Sequence, residues 1–495
     1  MLRAAAGATA AVLALAGCSG TEAAESDDTS TSTTTTTVER PDGPVADLSE
    51  ELTAGSGPFM GAATTTELAD VGYVETELVA AGTASSYESA QPLAGDGRWD
   101  FTEGDTADYR TRVLVRRPAD EADFSGTVVV EWLNVSGGID ANPDWASLEE
   151  ELVRSGDAWV GVSTQLIGVE GGPVLVTAPG AESVSGQGLV GIDPARYGTL
   201  EHPGDGYSFD IYTQVARALR EGQGLDGAQP DTLIAAGESQ SAIALTTYHN
   251  GVQPLTEAFD GFFVHSRASV ALPLVGPAEY ADLAGAIGAQ PTLLRDDLDV
   301  PVMDLQSEGD VIGVLDSIAA RQPDSDTFRL WEVAGTSHAD AHLLGPIAEL
   351  ADCGVPVNAG PLHLVAKAAY AHLVEWIDTG EPPPTMPLLD VTDDDPQQIA
   401  RDADGIATGG VRTAPVDVPV DVLSGQPGPS EDLFCLLLGS TTPLPASRLA
   451  ELYPSRADYE SAYAAAVDAA VEQGVVLDAD ADALQEYAQP DRITG

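Results

Sequence analysis

Apolar and polar positions follow two periods along this chain, and the switches between them outline its elements. Residues 71–80 (V-G-Y-V-E-T-E-L-V-A) and 110–116 (R-T-R-V-L-V-R) alternate with period two, which predicts strands lying on a surface. Residues 126–133 (G-T-V-V-V-E-W-L) are apolar and β-branched throughout, the composition of a strand buried on both faces. Between Pro143 and Ser155, Trp145, Leu148, Leu152 and Val153 recur at helical spacing. Further strands are predicted at 157–163, 233–236, 259–265, 300–306 and 328–333, and helices at 210–219, from Ala242 onward and at 362–380. Strands separated by helix-bearing crossovers predict the α/β class, with a mostly parallel central sheet and helices on both faces.

The pattern also marks extensions and insertions. A Gly- and Pro-rich loop (about 168–206) and an insertion (about 268–299) interrupt the strand–helix alternation. Beyond Pro382-Pro-Pro384 come an acidic patch, a Pro-spaced stretch at 411–422 expected to be extended, and a tail expected to be helical from about Pro443. We read 46–495 as one domain whose C-terminal elaboration begins near 385.

The N-terminus has a different pattern. Arg3 precedes an apolar run, residues 4–16, too short to span a bilayer as a stable helix. Leu15-Ala16-Gly17-Cys18 then resembles a bacterial lipobox, so 1–17 reads as a signal peptide and Cys18 as the lipid-bearing residue. Residues 18–45 are rich in Ser, Thr and acids and cannot bury a core, which predicts a disordered tether. The expectation is an exported protein held by lipid at the outer face of the cell membrane. Apart from Cys18, only Cys353 and Cys435 remain, and an oxidising compartment makes them candidates for a disulfide or for two separate buried thiols.

Charge excludes one class of partner. The 495 residues carry 79 acidic against 21 basic side chains, a net charge of −58, which repels phosphate backbones and argues against nucleic-acid binding. Oligomeric state is not readable from these features.

The candidate chemistry begins at Asp231-Thr-Leu-Ile-Ala-Ala-Gly-Glu-Ser-Gln-Ser-Ala-Ile-Ala-Leu245. An apolar strand runs into Gly237-Glu238-Ser239-Gln240-Ser241, and a helix follows. A serine on a tight strand-to-helix turn is a nucleophile elbow, here with Ser241 where the G-x-S-x-G pattern has its second glycine. A serine hydroxyl needs a base to take its proton and a third group to orient that base. The order Ser, acid, His is met at strand ends: 300–306 leads into Ser307-Glu308-Gly309-Asp310, and 328–333 leads into Ala334-Gly-Thr-Ser-His338. Acidic loop residues are usually solvated and histidines after strands are usually structural, but three placements in the right order favour the catalytic reading. Asp310 is the preferred acid because a short arm holds an imidazole more firmly; Glu308 is the alternate. Oxyanion donors are expected from the Gln240 N–H and from the loop after Trp132, at Asn134 and Val135. Asn134-Val-Ser136 is also a glycosylation sequon, discounted for a bacterial lipoprotein.

Two other patterns carry less. Gly186-Gln-Gly-Leu-Val-Gly191 matches a dinucleotide fingerprint, but no clean strand leads into it. His338-Ala-Asp340-Ala-His342 lacks further metal ligands and a glutamate base, so no metal is assigned. The histidines at 202, 249, 265, 363 and 372 read as structural.

Taken together, E-W-L-N-V-S-G-G, Y-S-F-D-I-Y, G-E-S-Q-S, L-Q-S-E-G-D, A-G-T-S-H-A-D-A and the late G-G-V-R-T-A-P-V-D-V-P-V resemble the bacterial "alpha/beta hydrolase domain" family of exported hydrolases. The resemblance runs from about residue 72 to the tail and implies an α/β-hydrolase fold with Ser239, His338 and an acid within 308–310 as triad. It implies no substrate. The expected activity is hydrolysis of a small-molecule carboxylic ester through an acyl-enzyme on Ser239, with no cofactor. The alternatives are an amidase or peptidase on the same triad, and a non-catalytic binding lipoprotein.

Overall fold

The computed structural model describes residues 40–61 and 66–494. The expected signal peptide, Cys18 and the tether as far as residue 39 lie outside the described residues.

Nine strands form one sheet: β1 (Asp47–Glu51), β2 (Tyr73–Ser89), β3 (Phe101–Pro118), β4 (Thr127–Trp132), β5 (Ala158–Val162), β6 (Thr232–Glu238), β7 (Gly261–His265), β8 (Val302–Ser307) and β9 (Phe328–Val333). Their order is β1-β2-β3-β5-β4-β6-β7-β8-β9. The pairs from β5 to β9 are parallel, while β1, β2 and β3 add an antiparallel edge. This is the mostly parallel α/β sheet that the alternation of elements predicts.

Four helices cover the sheet: α1 (Pro143–Ser155), α2 (Ser208–Arg220), α3 (Gln240–Thr247) and α4 (Leu362–Thr379). Pleating divides β4 between the two faces. Val128, Val130 and Trp132 join the core under α2 and α3, whereas Val129 joins Leu148, Trp159 and Leu364 on the face of α1 and α4. Glu131 points the second way and is fully buried. Its carboxylate accepts from the N–H groups of Asp144 and Trp145 (3.0 and 2.9 Å) and from Trp159 Nε1 (2.7 Å). A buried carboxyl inside a strand thus satisfies the open N–H groups at the start of α1, where Pro143 opens the helix.

The structure departs from the sequence reading in two places. The predicted strands at 71–80 and 110–116 are the inner parts of a much longer ribbon, β2 and β3 together. Its outer half is rich in Ser, Thr, Gly and Asp, with Ala84, Tyr87, Phe101 and Tyr109 scattered among them and buried in the core. Polar contacts to α2 add to that burial: Ser85 N–H to Asp210 Oδ2 (2.7 Å), Gln214 Nε2 to Thr83 O (2.9 Å) and Tyr109 O–H to Gln214 Oε1 (3.1 Å). The stretch 411–422 is not continuously extended. Val411 makes a single bridge to Val333, Ala414–Asp417 turns helically, and β10 (Asp421–Ser424) pairs with β11 (Ser440–Pro443). Pro415 sits in the first turn of that helical segment, where a missing N–H costs nothing.

After β11 the helix α5 (Arg456–Glu472) packs Tyr459, Tyr463 and Val467 into the same core as Trp331 and Leu364. Cys353 and Cys435 form a disulfide with Cα atoms 5.5 Å apart. Gly186–Gly191 follows a turn and enters a five-residue helix, Gly188–Ile192, with no strand before it. Among the described residues no helix is long and apolar enough to cross a membrane.

Candidate active site

β6 ends at Glu238 and α3 begins at Gln240, so Ser239 alone makes the reversal. Its φ of 63° is left-handed, a conformation that costs a residue with a side chain about 1–3 kcal/mol. Gly237 is required by the same reversal: a Cβ there would come within 2.9 Å of Ser241 Cβ and 3.1 Å of Leu245 Cδ1. Ser241 is fully buried against this turn, small enough for the position where the usual pattern has glycine. The Ser239 N–H donates to His265 O (2.9 Å), which ties the turn to β7.

Two neighbouring strand ends bring the other groups to Ser239. His338 follows β9 and Asp310 lies in the helical turn Glu308–Val311 after β8. His338 Nε2 is 2.8 Å from Ser239 Oγ, and Nδ1 is 2.7 Å from Asp310 Oδ1. The other carboxylate oxygen of Asp310 accepts from Ser266 Oγ and Ser307 N–H, each at 2.7 Å. Burial pushes the Asp310 carboxyl up, but the imidazole charge and these donors outweigh it and hold Asp310 below its ordinary range. Burial likewise opposes charge on His338, yet Asp310 and then Glu238 raise it above the usual imidazole value.

Glu308, the alternate acid, is turned away. Its carboxylate accepts from Gly335 N–H (2.8 Å) and Gly425 N–H (3.0 Å) and pairs with Arg401, so it fastens the C-terminal elaboration to the end of β8.

The loop after β4 departs from expectation. Gln240 is at the first helical position, where its N–H has no intrahelical acceptor and is free to meet an oxyanion. Asn134 and Val135 were expected to add the second donor, but their N–H groups are engaged: Asn134 donates to Ala141 O (2.9 Å) and Val135 to Gln240 Oε1 (3.1 Å). The reason is bracing. Asn134 Nδ2 also donates to Glu238 O (3.1 Å), and Gln240 Nε2 donates to Gln165 Oε1 (2.6 Å), so this loop clamps the elbow from outside. Arg112, fully buried, pairs with Asp140 (2.7 Å) at the far end of the loop.

Glu238 occupies the variable position of the elbow pattern. It ends a strand buried along its whole length, and a charge in that position is itself a signal. Its carboxyl lies 3.8 Å from His338 Nε2, hydrogen-bonds no described residue and opens onto the cavity above Ser239. Burial pushes it up to about 7, with the positive charge of His338 pulling the other way. His265, read as structural, holds Asp144 (3.0 Å) behind the site. His342 stacks on His363 at 3.6 Å between ring centres, and its Nε2 meets Ala146 O (3.2 Å). Among the described residues no group of His, Cys, Asp and Glu is placed to hold a metal ion.

Ser239, His338 and Glu238 open into one cavity of about 730 Å³. The buried Asp310–His338–Ser239 line can carry a proton from a hydroxyl to an imidazole at a spot where a backbone N–H faces developing negative charge.

Solved structures similar to this chain include an α/β serine hydrolase without lid from Xanthomonas campestris (14% identity, 55% of this chain and 89% of that one, TM-score 0.27). A fungal esterase from Rhizomucor miehei has 13% identity over 61% of this chain and 85% of its own, with a TM-score of 0.31. A thermostable esterase from Pseudomonas putida has 12% identity over 59% and 82%, with a TM-score of 0.28. No curated protein matches the chain. The model of the family described as "Alpha/beta hydrolase domain" matches residues 38–486, nearly the whole length, and the chain belongs to that family.

Proposed function

We propose that this protein is a serine hydrolase that cleaves carboxylic esters through an acyl-enzyme on Ser239. The observation that carries the reading is the continuous hydrogen-bonded line from Asp310 through His338 to a serine on a left-handed turn. With Nδ1–H donated to Asp310, His338 Nε2 is an acceptor for the Ser239 proton. Ser239 Oγ adds to the ester carbonyl carbon while its proton passes to Nε2, and the carbonyl oxygen takes up negative charge facing the Gln240 N–H. Collapse breaks the carbon–alkoxide bond, and the imidazolium returns the proton to the departing alcohol. Water then repeats the sequence on the acyl-serine and releases the acid.

A fluorophosphonate probe followed by peptide mapping tests this. The expected result is an adduct on Ser239 that is lost in His338→Ala. Folded protein that takes no adduct would move the reading to a binding protein that keeps the fold without the chemistry.

The pH profile gives a second check. A base must be neutral to accept a proton, and His338 holds its proton above the ordinary 6.5. The acid limb of kcat/KM should therefore have its midpoint above pH 6.5. Glu238→Gln removes a carboxylate that favours the imidazolium, so the midpoint should move down. Because Glu238 itself titrates near 7, the wild-type limb belongs to the pair and not to either group alone. An unchanged or higher midpoint in the variant would show that Glu238 does not act on the imidazole.

A further inference from the structure

The cavity over Ser239 has a composition as informative as its catalytic wall. At about 730 Å³ it lies in the upper part of the usual range for ligand pockets, roughly 300–1,000 Å³, and far exceeds what an acetyl group fills. One apolar group in the lining is Ile243, Leu283, Ile287 and Leu315. A second apolar group in the lining is Leu344, Ile347, Phe434, Leu437 and Leu438. These last belong to the two segments joined by the Cys353–Cys435 disulfide, so that wall is fixed and apolar.

The ionisable groups reaching this space are equally one-sided. Glu149, Glu238, His338 and His342 line it, and no arginine or lysine is among the lining residues. Glu238 stands beside the reacting atoms without a hydrogen-bonding partner among the described residues. An anionic group on a substrate would find no arginine or lysine among the described lining residues and a carboxyl next to the nucleophile. A neutral alkyl chain would find the apolar side chains of both groups.

We infer that the substrate is an uncharged ester carrying a long or bulky apolar group, of about eight carbons or more, which fills the space lined by Ile243, Ile287 and the disulfide-tied segments. The inference rests on the ester-hydrolase reading above. It assigns Ile287 and Leu437, both half-buried in the cavity lining and far apart in sequence, as residues that set the length of chain accepted. Hydrophobic burial sets the size of the effect, at most ~4-fold in kcat/KM per methylene. Ordering a flexible chain reduces this.

The test uses the mature protein with two ester series. One varies the acid (p-nitrophenyl acetate, hexanoate, octanoate), and the other varies the alcohol (ethyl, hexyl and octyl acetate). At least one series should gain ~30-fold or more from its shortest to its eight-carbon member. The monoanionic p-nitrophenyl adipate should fall ~10-fold or more below the hexanoate of equal chain length. Ile287→Trp should lower the ratio of eight-carbon ester to acetate kcat/KM ~10-fold, and Leu437→Trp is an independent variant in the same lining that should do the same. Acetate turnover with no rise along either series, or adipate hydrolysed as well as hexanoate, would overturn the inference and leave the ester reading standing. No hydrolysis of any ester together with no fluorophosphonate adduct on Ser239 would overturn both.

Discussion

Ser239→Ala should lower ester kcat/KM by about 10⁴- to 10⁶-fold while the protein stays folded, because nucleophile, base and orienting acid act as a unit. The substitution removes one oxygen and leaves His338 and Asp310 in place. Whatever rate remains over the uncatalysed reaction would come from binding and from the Gln240 N–H alone. A second substitution separates chemistry from fold. Ser239 sits at φ 63°, and only glycine adopts such a conformation without strain. Ser239→Gly should lose activity to the same degree while gaining up to about 1 kcal/mol of stability, whereas Ser239→Ala gains nothing because alanine still carries a Cβ. Activity measured on matched esters, with thermal unfolding of both variants, checks the pair. Retention of full ester hydrolysis in either variant would remove Ser239 from the mechanism.

The sequence made the sheet legible where burial writes itself as apolar runs. β4, β6, β7, β8 and β9 all lie within the predicted strands or overlap them closely, although β8 and β9 bury Asp304, Gln306, Arg329 and Glu332 among their apolar residues. It made the outer half of the β2–β3 ribbon invisible, because its buried residues, Ala84, Tyr87, Phe101 and Tyr109, are scattered among polar ones without a sustained period, and the polar bonds to α2 have none either. The candidate site divides in the same way. The elbow and the histidine are legible because a tight reversal and a strand end constrain residue type and spacing. The partners of the loop after β4 are not, since whether the Val135 N–H faces an oxyanion or the Gln240 side chain depends on a rotamer across a gap of more than a hundred residues in sequence. The role of Glu238 is not legible either, because the elbow pattern leaves its position free, although its neighbours on β6 are all buried.

The choice between the two acids is the point at which sequence ran out and geometry makes a sharp expectation. Asp310→Asn should lower kcat/KM by about 10⁴-fold for a reason visible in its partners. Ser266 Oγ and Ser307 N–H both donate to one oxygen of the Asp310 carboxylate. An asparagine in this position keeps its carbonyl oxygen against those two donors and turns its NH₂ toward His338 Nδ1. The imidazole must then accept at Nδ1 and carry its proton on Nε2, the tautomer that cannot take a proton from Ser239. Glu308→Gln should behave in the opposite way. It touches neither His338 nor Ser239, so kcat/KM should stay within about 3-fold. The variant breaks a buried ion pair with Arg401, at a stability cost of up to about 3 kcal/mol, because the guanidinium loses its counter-charge. Steady-state kinetics beside denaturant unfolding distinguishes the two. If Glu308→Gln lost as much activity as Asp310→Asn at unchanged stability, the orienting acid would be Glu308, and the hydrogen bond from His338 to Asp310 would not be the one used in the reaction.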